Sequence, residues 1–234
     1  MEFSVQQALE LSCAAQRYNK DYVKESQPLY SDDAQFLSYQ YSNKLCILFT
    51  IDPERRANSD AQSIPTVLQI TDEDRQLVED IRTYYRRLMF SVLAQPDNSF
   101  LQEILSLLNK ETMSENKMGF IACLPSVYER DKKNNNVNKI FKNCISEPLG
   151  VADTKLENLT ANIIDCVRSK NYDAWNVLAI IDNKIVSWFS KFPIKQLEVQ
   201  IASAKIKGIY ENYLSKKVET RLNYVKVKNE NSSN

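Results

Sequence analysis

Trp175-Asn176-Val177-Leu178-Ala179-Ile180-Ile181-Asp182-Asn183-Lys184-Ile185-Val186-Ser187-Trp188-Phe189-Ser190 decides the fold of this chain. Two runs rich in β-branched and aromatic residues, 175–181 and 185–192, meet at the tight turn Asp182-Asn183-Lys184 and read as a β-hairpin. Strand-like patterning continues on both sides. Residues 159–168 (LTANIIDCVR) precede the hairpin, and 199–210 and 218–228 follow it with alternating side chains, separated by the polar stretch 211–217. Five antiparallel strands on about eighty residues leave costly unpaired edges in an open sheet, and closure into a barrel removes them. The spacing therefore predicts a small five-stranded β-barrel, although a two-sheet sandwich or another small barrel also meets the pattern.

Upstream the period changes to that of helices. Ser4 and Gln7 form a capping-box pattern, and Val5, Ala8, Leu9, Leu11 and Ala15 recur at helical spacing, which predicts a helix over 5–19. Asp72, Glu73 and Asp74 suit a helix N-terminus, and Leu77, Ile81, Tyr84, Leu88 and Val92 carry that helix to about residue 94. Pro96 stops it, and Leu101, Ile104, Leu105 and Leu108 stripe the next. A further helix is expected over 115–123, ended by Leu124-Pro125. Residues 130–136 then read as a hinge or loop. The run 44–50 looks β-like, and the polar stretch 52–63 looks like an exposed loop. The fold class is α+β: a mainly helical module over 1–142, then the OB-like barrel over 143–234.

Composition narrows the chemistry. With 43% hydrophobic residues in 234, the chain can bury a real core. It has no histidine, which excludes a His-paired nucleophile, a His-ligated zinc and a His general base. Its three glycines, Gly119, Gly150 and Gly208, form no phosphate-cradling loop, so no cofactor is expected. The five cysteines lie apart without a C-x-x-C pair, as reduced, mostly buried thiols do. Asp72, Glu73, Asp74, Glu79 and Asp80 resemble a metal-dependent nuclease cluster, but negative charge in the first turns of a helix needs no metal. Catalysis is not expected. No apolar run is long enough for a bilayer, and residues 1–3 open no signal sequence, which leads to the expectation of a cytoplasmic protein without a membrane partner.

Net charge is zero, yet residues 1–129 carry 12 Lys+Arg against 19 Asp+Glu while residues 130–228 carry 18 against 10. A basic half joined to an acidic half suits a polyanion-binding module attached to a protein-binding one.

The stretch Glu147-Pro148-Leu149-Gly150, the strand LTANIIDCVRS, the hairpin quoted above and the strand AKIKGIY (204–210) give a closer comparison. The segment resembles the C-terminal OB-type domains of phage-type single-stranded DNA-binding and replication accessory proteins, over about a third of the chain. It departs from them in having no glycine to bend the first strand between Ala152 and Arg168, so that a bulge or Asn162 must do so, and in the short link at 193–198. The resemblance implies a single-stranded nucleic acid, DNA in preference to RNA, lying across the second and third strands between the first and last loops. Each loop pairs cations with a ring: Arg168, Lys170 and Tyr172 in the first, Tyr213, Lys216 and Lys217 in the last. Cations neutralise phosphates and flat rings stack on bases, so Trp175, Trp188, Lys191, Phe192, Lys205, Lys207 and Arg221 complete the candidate set. Trp188 and Phe192 are expected to face outward and Phe189 inward. Tyr84-Tyr85-Arg86-Arg87 on the long helix reads as core rings with solvated arginines.

The expected function is a non-enzymatic single-stranded DNA-binding accessory protein of phage-type replication, recombination or transcription, whose helical module holds another protein. The competing reading is a protein-binding adaptor or inhibitor, or a subunit of a larger polymerase or virion assembly, with the barrel as docking surface.

Overall fold

Ser4 opens the first helix as its spacing requires: the Gln7 N–H donates to Ser4 Oγ at 3.3 Å, and α1 runs Val5–Asn19, the bounds read from the sequence. Lys20, left-handed at φ 62°, ends it. The computed structural model describes residues 2–58, 65–94, 99–169 and 171–228. The chain divides into two compact units, Met1–Asp131 and Lys132–Asn234, upstream of the boundary read at 142/143.

In the first unit, β1 (Glu2–Ser4), α1, the antiparallel strands β2 (Gln27–Tyr30) and β3 (Phe36–Gln40), and α2 (Asn43–Ile51) come first. α2 corrects the strand expected at 44–50. A short continuous apolar run fits a buried helix as well as a strand, and the flanking residues decide it. Ser42 Oγ accepts from the Leu45 N–H, Thr50 Oγ1 donates back to the Cys46 carbonyl, and Cys46, Ile47 and Leu48 are sealed in the core. α3 (Pro53–Ala57) then occupies part of the stretch expected as loop, with Asp52 as N-cap and Pro53 at a position where no amide is lost; 59–64 lie outside the described residues. α4 (Asp72–Ala94) and α5 (Ser99–Leu108) follow as the stripes require, and β4 (Thr112–Ser114) pairs with β1.

α6 (Met118–Lys142) is the second correction, because it continues through Pro125 and through 130–136. A proline inside a helix costs about 3 kcal/mol. Burial on both sides of it offsets that: Met118, Ile121, Leu124 and Tyr128 enter the first unit's core, and Val137 and Phe141 are buried in the second unit.

The second unit is a closed barrel of β5 (Lys155–Arg168), β6 (Trp175–Ile181), β7 (Lys184–Ser190), β8 (Glu198–Glu211) and β9 (Val218–Val227), in the order β5-β6-β7-β9-β8. Four pairings are antiparallel. The fifth, β7 with β9, is parallel, matching Ile185 with Glu219 and Ser187 with Arg221. This is an OB-like barrel on an α+β chain. β5 serves two neighbours, pairing β8 through its first part and β6 through its last, with a bulge between Ile163 and Asp165 where no glycine is available to bend it. Asp182 and Asn183, both at positive φ, make the two-residue hairpin turn.

Trp188 is 2% exposed and Phe189 48%, the reverse of the orientation expected. Strand alternation ties Trp188 to Val186, which is fully buried, and three interior alanines, Ala161, Ala179 and Ala204, leave room for the indole.

Candidate nucleic-acid interface

The outer faces of β6 and β7 are where an OB barrel usually takes its ligand. Here the chain itself covers part of that area. Val137 and Phe141 of α6, with Cys144, form an apolar cluster with Ile185 of β7, joined by Ile164, Leu178, Ile180 and Leu214. Lys133 Nζ lies 2.8 Å from Asp165 on β5. At the other end Lys217 Nζ donates to the carbonyls of Lys142 and Cys144 at 2.7 and 2.6 Å. The following link is stitched to the barrel, as Ile145 N–H donates to the Asn183 carbonyl at 2.8 Å and Leu149 N–H to Thr220 Oγ1 at 2.9 Å.

The part of the face near the first loop stays open. There Phe189 stands opposite Asn176, and Tyr172, 65% exposed, meets it edge-to-face with ring centroids 5.6 Å apart. Arg168 reaches Asp173 at 3.1 Å but remains largely exposed, as is Lys191. Trp175 begins β6 opposite Ser190 and is half-buried. Lys170 lies outside the described residues. Phe192 is exposed beyond the end of β7, where Ser190 Oγ donates to its carbonyl at 2.7 Å, and it lines a groove of about 490 Å³ with Ile194, Val199 and Val227.

The remaining candidates divide by their partners. Lys205 is held by Asp153 at 2.6 Å, a contact that raises the lysine pKa and lowers that of the carboxyl. Lys207 is exposed. Arg221 lies 4.5 Å from the Tyr210 ring centroid and 3.9 Å from Glu219. Tyr213 is exposed on the last loop with Lys216 Nζ 5.5 Å above its ring, and Lys216 also faces Glu211 at 3.6 Å. The structure thus brings Arg168, Tyr172, Trp175 and Lys191 together at one end of β7, commits Lys217 to a helix terminus, and removes Trp188 to the interior.

No family model, no curated protein and no solved structure matches this chain.

Two residues absent from the sequence-derived set belong to the open face. Phe189, flanked by Ile185 and Ser187, reads as the inward ring beside a Trp188 better tolerated by solvent, but each face of β7 carries an aromatic and alternation alone does not say which is inside. Tyr210 follows Gly208 by two residues, and that spacing was the available signal. A Cβ at Gly208 would lie 3.0 Å from Tyr210 Cε2 and Oη, tighter than ordinary van der Waals contact, so the glycine lets the ring lie close to the sheet. On the neighbouring strand Glu219, matched with Tyr210, accepts from Ser187 Oγ and from Asn212 Nδ2. Asn212 Oδ1 in turn accepts the Leu214 and Ser215 amides, which shapes the last loop.

The face can therefore offer rings to bases and cations to phosphates. Among the described residues no group of three or more His, Cys, Asp or Glu is placed to hold a metal ion, and no helix is long and apolar enough to cross a membrane. The five cysteines are free; burial pushes Cys13 up to about 12 and Cys46 up to about 11, which keeps both thiols protonated near neutrality.

Proposed function

We propose that this chain is a non-enzymatic, cytoplasmic accessory protein of phage-type replication, recombination or transcription that binds single-stranded nucleic acid, DNA in preference to RNA, through its barrel. The observation that carries the reading is the uncovered Phe189–Tyr172 ring pair on the outer face of an OB-like barrel, beside Arg168 and Lys191. Stacking on such rings is worth about 1–3 kcal/mol per base and accepts any sequence, while the cations supply the salt-dependent part. The acidic first unit serves a protein partner in this account. Photocrosslinking of the full chain to an oligonucleotide containing halogenated thymidines tests it by peptide mapping: adducts at Tyr172, Phe189 or their loop support the reading, and the absence of any adduct with single strands rejects it.

The specific observation favouring a protein-docking barrel instead is the α6 segment lying on part of the usual ligand face. A barrel of that kind would give no adducts and would keep its partner when Lys191 and Lys216 are reversed to glutamate.

A further inference from the structure

The outer face does not end at β7. Ser187 is matched with Arg221 on β9, and Arg221 is matched in turn with Gly208 on β8, the residue under the Tyr210 ring. Phe189 stands two residues beyond Ser187 and points the same way. Strand spacings place the Phe189–Tyr172 pair and the Arg221–Tyr210 pair on the order of 10 Å apart on one surface, within reach of neighbouring bases in an extended strand. α6 closes the other direction, across the centre of β6.

We propose that a single strand runs from Phe189 on β7 across β9 to Tyr210 on β8, with the Arg221 guanidinium and the Tyr210 ring forming its second stacking platform. The inference rests on the single-strand reading above. Arg221 is suited to this because a guanidinium is planar and can lie on one ring while offering its other face to a base. Its exposure, 37% for the side chain, leaves that face accessible. Glu219 brings a negative charge to the same area, but it is only 8% exposed and is engaged by Ser187, Asn212 and Arg221. Lys207 and Lys226 are exposed on the two strands, and neither has an ion pair among the described residues, so both are available to phosphates. The occupant follows from this complementarity: cations interleaved with flat rings match a polyanion whose bases are unpaired, whereas a duplex hides its bases.

The test uses the full chain and a fluorescein-labelled oligothymidylate of about twenty nucleotides, long enough for one barrel. Arg221→Gln and Tyr210→Leu should each weaken binding about tenfold, Tyr210→Phe should bind as the parent does, and Lys139→Glu on the exposed side of α6 should change affinity less than about twofold. Gly208→Ala gives a second route to the same result, because its methyl meets the tyrosine ring at 3.0 Å and pushes it outward by a few tenths of an ångström while leaving it in the protein; it should weaken binding, less than Tyr210→Leu does. Parent binding with unchanged affinity for Arg221→Gln, Tyr210→Leu and Gly208→Ala overturns this path and leaves the single-strand reading standing. Failure of the parent to bind overturns both.

Discussion

Lys217 Nζ donates to the carbonyl of Lys142 at 2.7 Å, so a lysine that looked like a phosphate ligand is the cation at the C-terminus of α6. Helix carbonyls at that end have no partners of their own, and an ammonium there also meets the negative end of the helix dipole. Replacing Lys217 by Met should destabilise the second unit by about 1–2 kcal/mol. Replacing Lys216 by Met, in the same loop, should cost well under half of that. Urea unfolding followed by tryptophan emission distinguishes them, and equal effects would contradict the capping role.

Trp188 fills the interior of the barrel. Truncation to Ala should cost about 3–5 kcal/mol, because the cavity left inside a small barrel collapses only partly. The Trp175→Phe protein, which retains Trp188 alone, should emit at short wavelength and resist iodide quenching. The Trp188→Phe protein should emit further to the red and be quenched more readily.

Asn212 organises the last loop with one side chain that donates to Glu219 at 2.7 Å and accepts two backbone amides. Asn212→Ala leaves Glu219 short of a donor and the amides short of an acceptor. A loss of about 2–3 kcal/mol is expected. Asn212→Asp restores the acceptor but sets a second carboxylate beside Glu219, and should recover little at neutral pH. Thermal melts of the three proteins check this ranking.

In the first unit Asp74 is 3% exposed and accepts from Arg17 at 2.8 Å and from the Thr71 N–H at 2.9 Å. Burial alone would raise its pKa, but these donors and the Arg17 charge outweigh burial and hold the carboxyl below its ordinary value. A depressed carboxyl contributes stability that is fully present above its unfolded pKa of about 4 and is lost as pH falls through the lower folded value. Asp74→Asn should therefore destabilise the protein at neutral pH and flatten this acid limb. An unchanged acid profile in denaturant titrations would count against the assignment.

Much of this architecture was legible in the sequence, for identifiable reasons. α1 and α4 carry long apolar stripes with capping or acidic first turns, and the β6–β7 hairpin has a turn that demands positive φ, so local chemistry fixed them. α2 is not legible as a helix because its apolar run is short and continuous, which suits a buried strand equally well. The full length of α6 is not legible because Pro125 and the Lys- and Asn-rich stretch at 130–136 are local stop signals, which burial of Leu124, Val137 and Phe141 overrides. The site was less legible than the fold. That Phe141 would lie with Ile185 and occupy part of the expected ligand face is a contact between distant segments, and neither segment announces the other. The roles of Lys205 and Lys217 were likewise hidden, since their partners, Asp153 and the α6 carbonyls, are brought to them only by folding.

The most direct test of the account is fluorescence anisotropy of a labelled single-stranded oligonucleotide titrated with the full chain over a range of salt concentrations. Binding at low salt should weaken linearly on a log–log plot, with a slope of about −2 to −3 for three or four neutralised phosphates. Absence of binding at low salt, or binding indifferent to salt, would contradict it.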